Sequence, residues 1–464
     1  MDKSRHSMCN CSYPYTPLPT RRAGQYCLWL QERLSYSGFL DFEAGGEVSA
    51  APLFEPYGGQ MLGVLVCRDE RGGEVVLKAF SGQYHGRWIV PGWVPPVPEV
   101  EAYETTVRLN DARIHQLSEH LERLSGNGDA IPDISEDVSR SIITRTMQSM
   151  QDERKALTQE SQRRIFALYS FACCGGSRKT FADMPGQVFP SGTGDCCAPK
   201  LLHHAFLNHL RPVSMAEFYF GAPNRSGTRQ PGCCYPPCDE RCRPLLKHLL
   251  GLDILYCDEH VAVVNKPSGL LSVPGRGEDK QDCVETRLRR LFPDCISQPA
   301  VHRLDMDTSG LLLLAFDAPS HRNLSMQFMQ GTIQKQYVAL VDGVVKDACG
   351  TIKLPFRLDV EHRPRQIYDE LYGKTGITQW ERLGVEHLAD GTAATRLLFT
   401  PLTGRTHQLR VHSAHEKGLG HPILGDRLYG TERPGQRLSL HACALSFDHP
   451  QSGERLEFYC AADF

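Results

Sequence analysis

The stretch that decides the reading is Ala300–Asp317, "AVHRLDMDTSGLLLLAFD". Two aspartates, Asp305 and Asp307, stand among His302, Arg303 and Thr308, directly ahead of an apolar run. Four leucines between Gly310 and Ala315 read as a buried strand, so the polar residues form a loop at its start. Loops carried on a rigid sheet are where reacting groups are held. In extended backbone, residues two apart point the same way, so either aspartate is a candidate to line a cleft.

Working outward, 464 residues are too many for one ordinary core, and two or three domains are expected. With 41% hydrophobic and 23% charged residues, the composition is that of a soluble globular protein. The start, "MDKSRHSMCNCSYPYTPLP", lacks the apolar segment of a signal peptide, and no window approaches the roughly 18 apolar residues of a membrane span. A cytoplasmic monomer with reduced thiols and no membrane partner is expected. Net charge is −3, which excludes a basic tail; a nucleic-acid partner would have to be bound by a local cluster of Arg and Lys.

Residues 1–60 carry mixed signals and are expected to be partly disordered. "MLGVLVC", "RDERGG" and "EVVLKAF" from Met61 predict a β-hairpin. From about 101 to 171 the sequence turns helical and is broken once by "SGNGDAIPDIS", which predicts a helical hairpin inserted as a packing element. Twelve of the 18 cysteines lie before residue 250. A Cys-rich α/β accessory domain is thus assigned to 61–250, and a new region of short strands and turns to 251–464.

Four segments of that last region carry chemistry: "VVNKPSGLLSVPGR" (263–276), "VHRLDMDTSG" (301–310), "KQYVALVDG" (335–343) and "PLTGRTHQLRVH" (401–412), the last leading into "GHPILGDRLYG" (420–430). Each alone could be a turn. In this order and spacing they closely resemble the RluA family of pseudouridine synthases, over the 213 residues from Leu252 to Phe464. The resemblance is strongest to the member acting on both ribosomal and transfer RNA.

The resemblance implies an α+β catalytic fold on a mixed, largely antiparallel sheet, an RNA substrate, and isomerisation of uridine to pseudouridine with no cofactor or metal. It makes Asp305 the essential residue, as nucleophile or as base at the ribose. Asp307 falls at a variable position of the motif. A carboxylate kept ionised in a partly buried cleft needs a cation beside it, and residue matching supplies Arg410, not Arg405. A guanidinium also orients a carboxylate better than lysine does. Tyr337 matches the family's active-site tyrosine, which stacks on the target base. Arg303 matches an arginine that enters near the space left by the flipped base. Lys266, Arg276, Lys335, Arg405 and His407 are candidates for phosphate or loop contacts.

In the N-terminal part, Cys196 and Cys197 open an expected helix, and Cys233, Cys234, Cys238 and Cys242 precede another. With His203 and His204 nearby, a tetrahedral zinc could be held, and Cys197, Cys238 and Cys242 are the expected ligands of a structural zinc. The order of elements faintly resembles the cytidine-deaminase-like fold. However, the second motif has three residues between its cysteines where that family has two, and no glutamate follows Cys196 or Cys197. A second enzyme in this half is therefore not expected. The competing reading for the whole chain is a non-catalytic RNA-binding or RNA-folding protein that retains the fold, and the intact Asp305, Tyr337 and Arg410 stand against it.

Overall fold

The computed structural model describes residues 16–126, 136–184, 186–238, 240–432 and 435–464, with backbone alone at 126 and 136–142. Contacts divide the chain into two compact units between Leu250 and Gly251, residues 16–19 going with the second. Among the described residues, no helix is long and apolar enough to cross a membrane.

The N-terminal unit runs α1 (Arg21–Ser37), β1 (Gln60–Arg68), β2 (Glu74–Phe80), α2 (Val100–Gly126), α3 (Glu136–Ala167), β3 (Phe171–Ala172), β4 (Arg178–Lys179), α4 (Cys197–Leu207), β5 (Arg211–Phe220), β6 (Cys234–Tyr235) and α5 (Cys242–Leu250). Its sheet has the order β2-β1-β5-β6, antiparallel throughout. Side chains alternate across it: Leu62, Val64, Val66, Ala216, Phe218 and Phe220 join Ala23, Cys27, Leu30 and Leu34 of α1 in one core. On the other face, Gly63 lets α4 settle onto β1, since a Cβ there would stand 2.6 Å from that of Cys197. Within the segment 1–60, the described part includes a helix. Helix α1 ends in the left-handed Gly38, whose N–H bonds to Leu34, and its Ala23, Cys27, Leu30 and Leu34 are buried against the sheet while Leu28 faces outward. Residues 1–15 lie outside the described residues, as does most of the helical-hairpin break. Helices α2 and α3 pair antiparallel, with Arg113 on Glu153 and Asn110 on Ser161.

In the C-terminal unit the strands are β7 (Asp253–Cys257), β8 (Val261–Lys266), β9 (Ser309–Ala315), β10 (Gln334–Asp342), β11 (Cys349–Leu358), β12 (Gln366–Tyr368), β13 (Lys374–His387), β14 (Ala393–Pro401), β15 (Leu440–Asp448) and β16 (Arg455–Tyr459). The helices are α6 (Val284–Leu291), α7 (Ala318–Gln330) and α8 (Gln408–Ala414). One sheet has the order β12-β11-β13-β14-β10-β15-β9-β8-β7, with β16 also on β15. Every pairing is antiparallel except β9 with β15. All seven residues of β9 are buried, which is why its sequence is a continuous apolar run and not an alternation. The parallel contact of β9 with β15 is made through Gly310: at φ +111°, a Cβ there would stand 2.3 Å from the Ala442 carbonyl oxygen. The sheet thus carries the "VHRLDMD" loop into its middle, beside β15 and β10.

Candidate active site

The loop that precedes β9 is held by main-chain contacts to the "KPSGLLS" segment. Lys266 is fully buried, and its Nζ donates to the carbonyls of Pro267 (3.0 Å), Leu270 (2.6 Å) and Met306 (2.9 Å). Ser268 Oγ donates to the Asp307 carbonyl, Gly269 N to that of Met306, and Ser272 Oγ both donates to Leu304 O and accepts from Leu304 N. Lys266 is therefore no phosphate contact, and that expectation is corrected: it ties two loops together from inside. Burial pushes its pKa down to about 8, against the pull of Asp305 and Asp307.

The Asp305 side chain is 22% exposed at the mouth of a cleft of about 280 Å³. Arg410 Nη1 stands 3.5 Å from its Oδ2, and His407 Nε2 stands 3.8 Å from the same oxygen. Arg410 in turn is gripped from behind by Asp426, whose side chain is fully buried: Nε to Oδ2 is 2.8 Å and Nη2 to Oδ1 is 2.7 Å. Asp426 Oδ1 also accepts from the N–H groups of Leu428 and Tyr429. Tyr429 accepts from Gln366 N and shares a 2.7 Å hydrogen bond with His407 Nδ1. One carboxylate thus fixes both groups that face Asp305: it holds Arg410 directly, and it holds the Tyr429 backbone, whose hydroxyl meets His407. Burial works against the charge of Arg410, but Asp426 and then Asp305 hold its pKa above the usual value. Burial lowers the pKa of His407, which Asp305 only partly counters, and so favours a neutral ring. His407 takes the left-handed conformation, φ 55°, a strain tolerated where the surroundings fix it.

Across the cleft, Tyr337 sits on β10 opposite Phe399 and Ala442, at the point where the register with β15 shifts. Its ring lines the cleft and its hydroxyl has no hydrogen-bond partner among the described residues. Burial, then the Asp305 carboxylate, raises its pKa and keeps it a neutral phenol.

Residues 260–415 match the RNA pseudouridylate synthase family. The dual-specificity RNA pseudouridine synthase RluA of Escherichia coli (strain K12) is 47% identical over 216 residues, which are 46% of this chain and 94% of that one. The chain belongs to the RluA family of RNA pseudouridine synthases. RluA of Haemophilus influenzae is 43% identical over the same length, again 94% of its chain. Among solved structures, human RNA pseudouridylate synthase domain containing 1 is 30% identical over 46% of this chain and 84% of that one, with a TM-score of 0.39.

In this pseudouridine synthase the other sequence-selected residues divide. Arg303 and Arg405 are exposed and line the cleft, while Lys335, part-buried, lines it with Nζ 5.4 Å from the Phe328 ring centroid. Arg276 is exposed but lies outside the cleft lining. The expectation that His407 contacts phosphate is corrected, because its ring is buried between Asp305 and Tyr429. Asp426 and Tyr429 were not singled out, although they stand in "GHPILGDRLYG"; a Gly-Asp step with an aromatic three residues on is the signal that could have marked them.

In the N-terminal unit the ligand set is corrected too. The sulfurs that lie within 4.8 Å of one another are those of Cys196, Cys238 and Cys242. Cys197 points the other way, its Sγ against the carbonyls of Met61 (3.4 Å) and Ala79 (3.5 Å), because the first residue inside α4 faces the sheet and the capping residue before it does not. His203 is engaged by Ala172 N–H at Nδ1.

Proposed function

We propose that this synthase isomerises uridines in ribosomal and transfer RNA, taking a splayed-out nucleotide into the cleft between Asp305 and Tyr337. The target classes rest on the dual-specificity relatives. The observation that carries the site is the placing of Asp305 against Arg410 at the cleft mouth, with the unpaired Tyr337 hydroxyl across from it.

In the reaction the N1–C1′ bond breaks, the base turns, C1′ joins C5, and the C5 proton is lost while N1 gains one. Composition is unchanged, so no co-reactant is called for. Asp305 acts at the ribose, with Arg410 holding its charge and direction. Tyr337 offers a face for the unstacked base and a hydroxyl for its edge. Arg303, Lys335 and Arg405, spaced around the mouth, are placed to meet phosphates or fill the vacated stack.

Carbodiimide-primed reverse transcription on RNA from a deletion strain, rescued with the parent or with Asp305→Ala, tests this reading. Sites lost on deletion should return with the parent and stay absent with the variant. Full rescue by the variant would end the assignment. We further propose that the N-terminal unit is stabilised by a structural zinc.

A further inference from the structure

We infer that zinc in the N-terminal unit is held by the thiolates of Cys196, Cys238 and Cys242, with Glu217 as the carboxylate that fixes the Cys196 end of the site. This rests on the reading that the unit takes up zinc at all.

Three observations from different parts of the chain meet here. First, a tetrahedral zinc with sulfurs about 2.3 Å away sets those sulfurs roughly 3.8 Å apart. Cys238 Sγ and Cys242 Sγ are 3.5 Å apart, and all three sulfurs lie within 4.8 Å of one another. No disulfide is formed among the described cysteines. A small contraction around one ion would bring the three sulfurs to tetrahedral spacing, with the fourth position open to a further ligand.

Second, the three thiols come from the starts of two helices. Cys196 caps α4 and Cys242 opens α5, and the Cys242 N–H donates to Cys238 Sγ at 3.4 Å. Helix starts favour thiolate over thiol, which zinc requires. The two helices pack against each other, so an ion at their joined N-termini would clamp α4 to α5 where no backbone hydrogen bond can.

Third, Glu217 reaches the same place from β5. It is 7% exposed, and its Oε1 accepts the Ala198 N–H at 2.7 Å, in the first turn of α4 two residues after Cys196. It lies within electrostatic reach of Cys196, Cys238 and Cys242. A divalent ion would displace the thiol protons and compensate the charge of three buried thiolates. Such outer carboxylates typically add tenfold to a hundredfold to metal affinity. Cys197, though adjacent and more deeply buried, takes no part, and that makes the assignment testable residue by residue.

The full-length protein is purified and its zinc counted, then reloaded with cobalt and examined for thiolate-to-cobalt charge transfer. The parent should carry about one zinc per chain. Cys197→Ser should keep it; Cys196→Ser, Cys238→Ser and Cys242→Ser should fall below about a tenth. Because a serine variant could fail to fold, Cys196→His is the second test: it should keep the metal while losing about a third of the charge-transfer intensity, one thiolate of three. Glu217→Ala should weaken zinc binding by about tenfold to a hundredfold in competition with a chelator. Parent protein without zinc would end the zinc reading itself. Zinc kept by Cys196→Ser and lost by Cys197→Ser would overturn the ligand set while leaving zinc in place. Unchanged affinity in Glu217→Ala would remove Glu217 from the site. Asp305→Ala should leave zinc content unaltered, so loss of catalysis and loss of metal read out separately.

Discussion

Asp305 and Asp307 lie two residues apart in one loop, each beside an arginine, yet they live in different electrostatic worlds. Asp307 meets Arg427 at 3.0 Å, but the Arg427 side chain is 53% exposed, so water competes for both partners. Asp305 meets Arg410 at a longer 3.5 Å, but Arg410 is 4% exposed and locked by a second carboxylate. The shorter ion pair is the weaker one. What distinguishes a reacting carboxylate here is the rigidity of its partner, set by Asp426, and not the closeness of the contact.

The comparison breaks most severely at Asp305 itself. Asp305→Ala should lower pseudouridine formation by at least about a thousandfold, as removal of a reacting group does, with RNA binding within a few-fold by filter assay. Normal turnover would reverse the ranking of the two aspartates.

Asp426→Asn should come next. It keeps the size of the side chain but removes the charge that grips Arg410, and misplacement of a catalytic partner costs on the order of a hundredfold in rate. Leaving Arg410 short of its buried partner should also cost roughly 3–5 kcal/mol in urea unfolding. Single-turnover rates within twofold of the parent would show that Arg410 needs no support.

Lys266 sharpens the contrast from below the loop. Its pKa is about 8 in the folded chain against 10.5 in free lysine, so between these pH values the unfolded chain holds more protons and folding stability rises with pH. Above the unfolded pKa the contribution is complete; it is lost as pH falls through about 8. The parent should therefore gain up to about 3 kcal/mol relative to Lys266→Met between pH 8 and 10.5. Parallel stability curves would contradict the buried position.

The smallest effect belongs to Asp307→Asn. An exposed pair of this kind is worth about 0–1 kcal/mol, so unfolding should shift by no more than that and turnover by less than about twofold.

Much of this site was legible in the sequence because its parts sit in short motifs whose residues keep fixed neighbours. Asp305, Tyr337 and Arg410 are brought to one cleft from three segments, and the β1–β2 hairpin follows from two apolar runs and the turn between them. What could not be read was direction and depth. "KPSG" looks like a basic surface loop, but Lys266 turns inward, where its Nζ donates to the carbonyls of Pro267, Leu270 and Met306. Cys196 and Cys197 are indistinguishable as letters; only the start of α4 between them decides which sulfur meets the sheet. Asp426 was invisible as a partner because its role depends on burial, which a Gly-Asp step in a turn does not announce. Helix α1 was missed because its apolar stripe is short and interrupted by polar residues.

Gly310 has a consequence for how this protein tolerates change. With no side chain at the crossing, β9 rests on the main chain of β15, and the Asp305 loop takes its height from that contact. Main-chain thickness does not vary from one sequence to another. Substitutions in the surrounding core can swell or shrink the packing without changing this reference distance, whereas a single methyl group at Gly310 would lift the whole loop. The precision of the active site is thus entrusted to the one residue that has nothing to substitute.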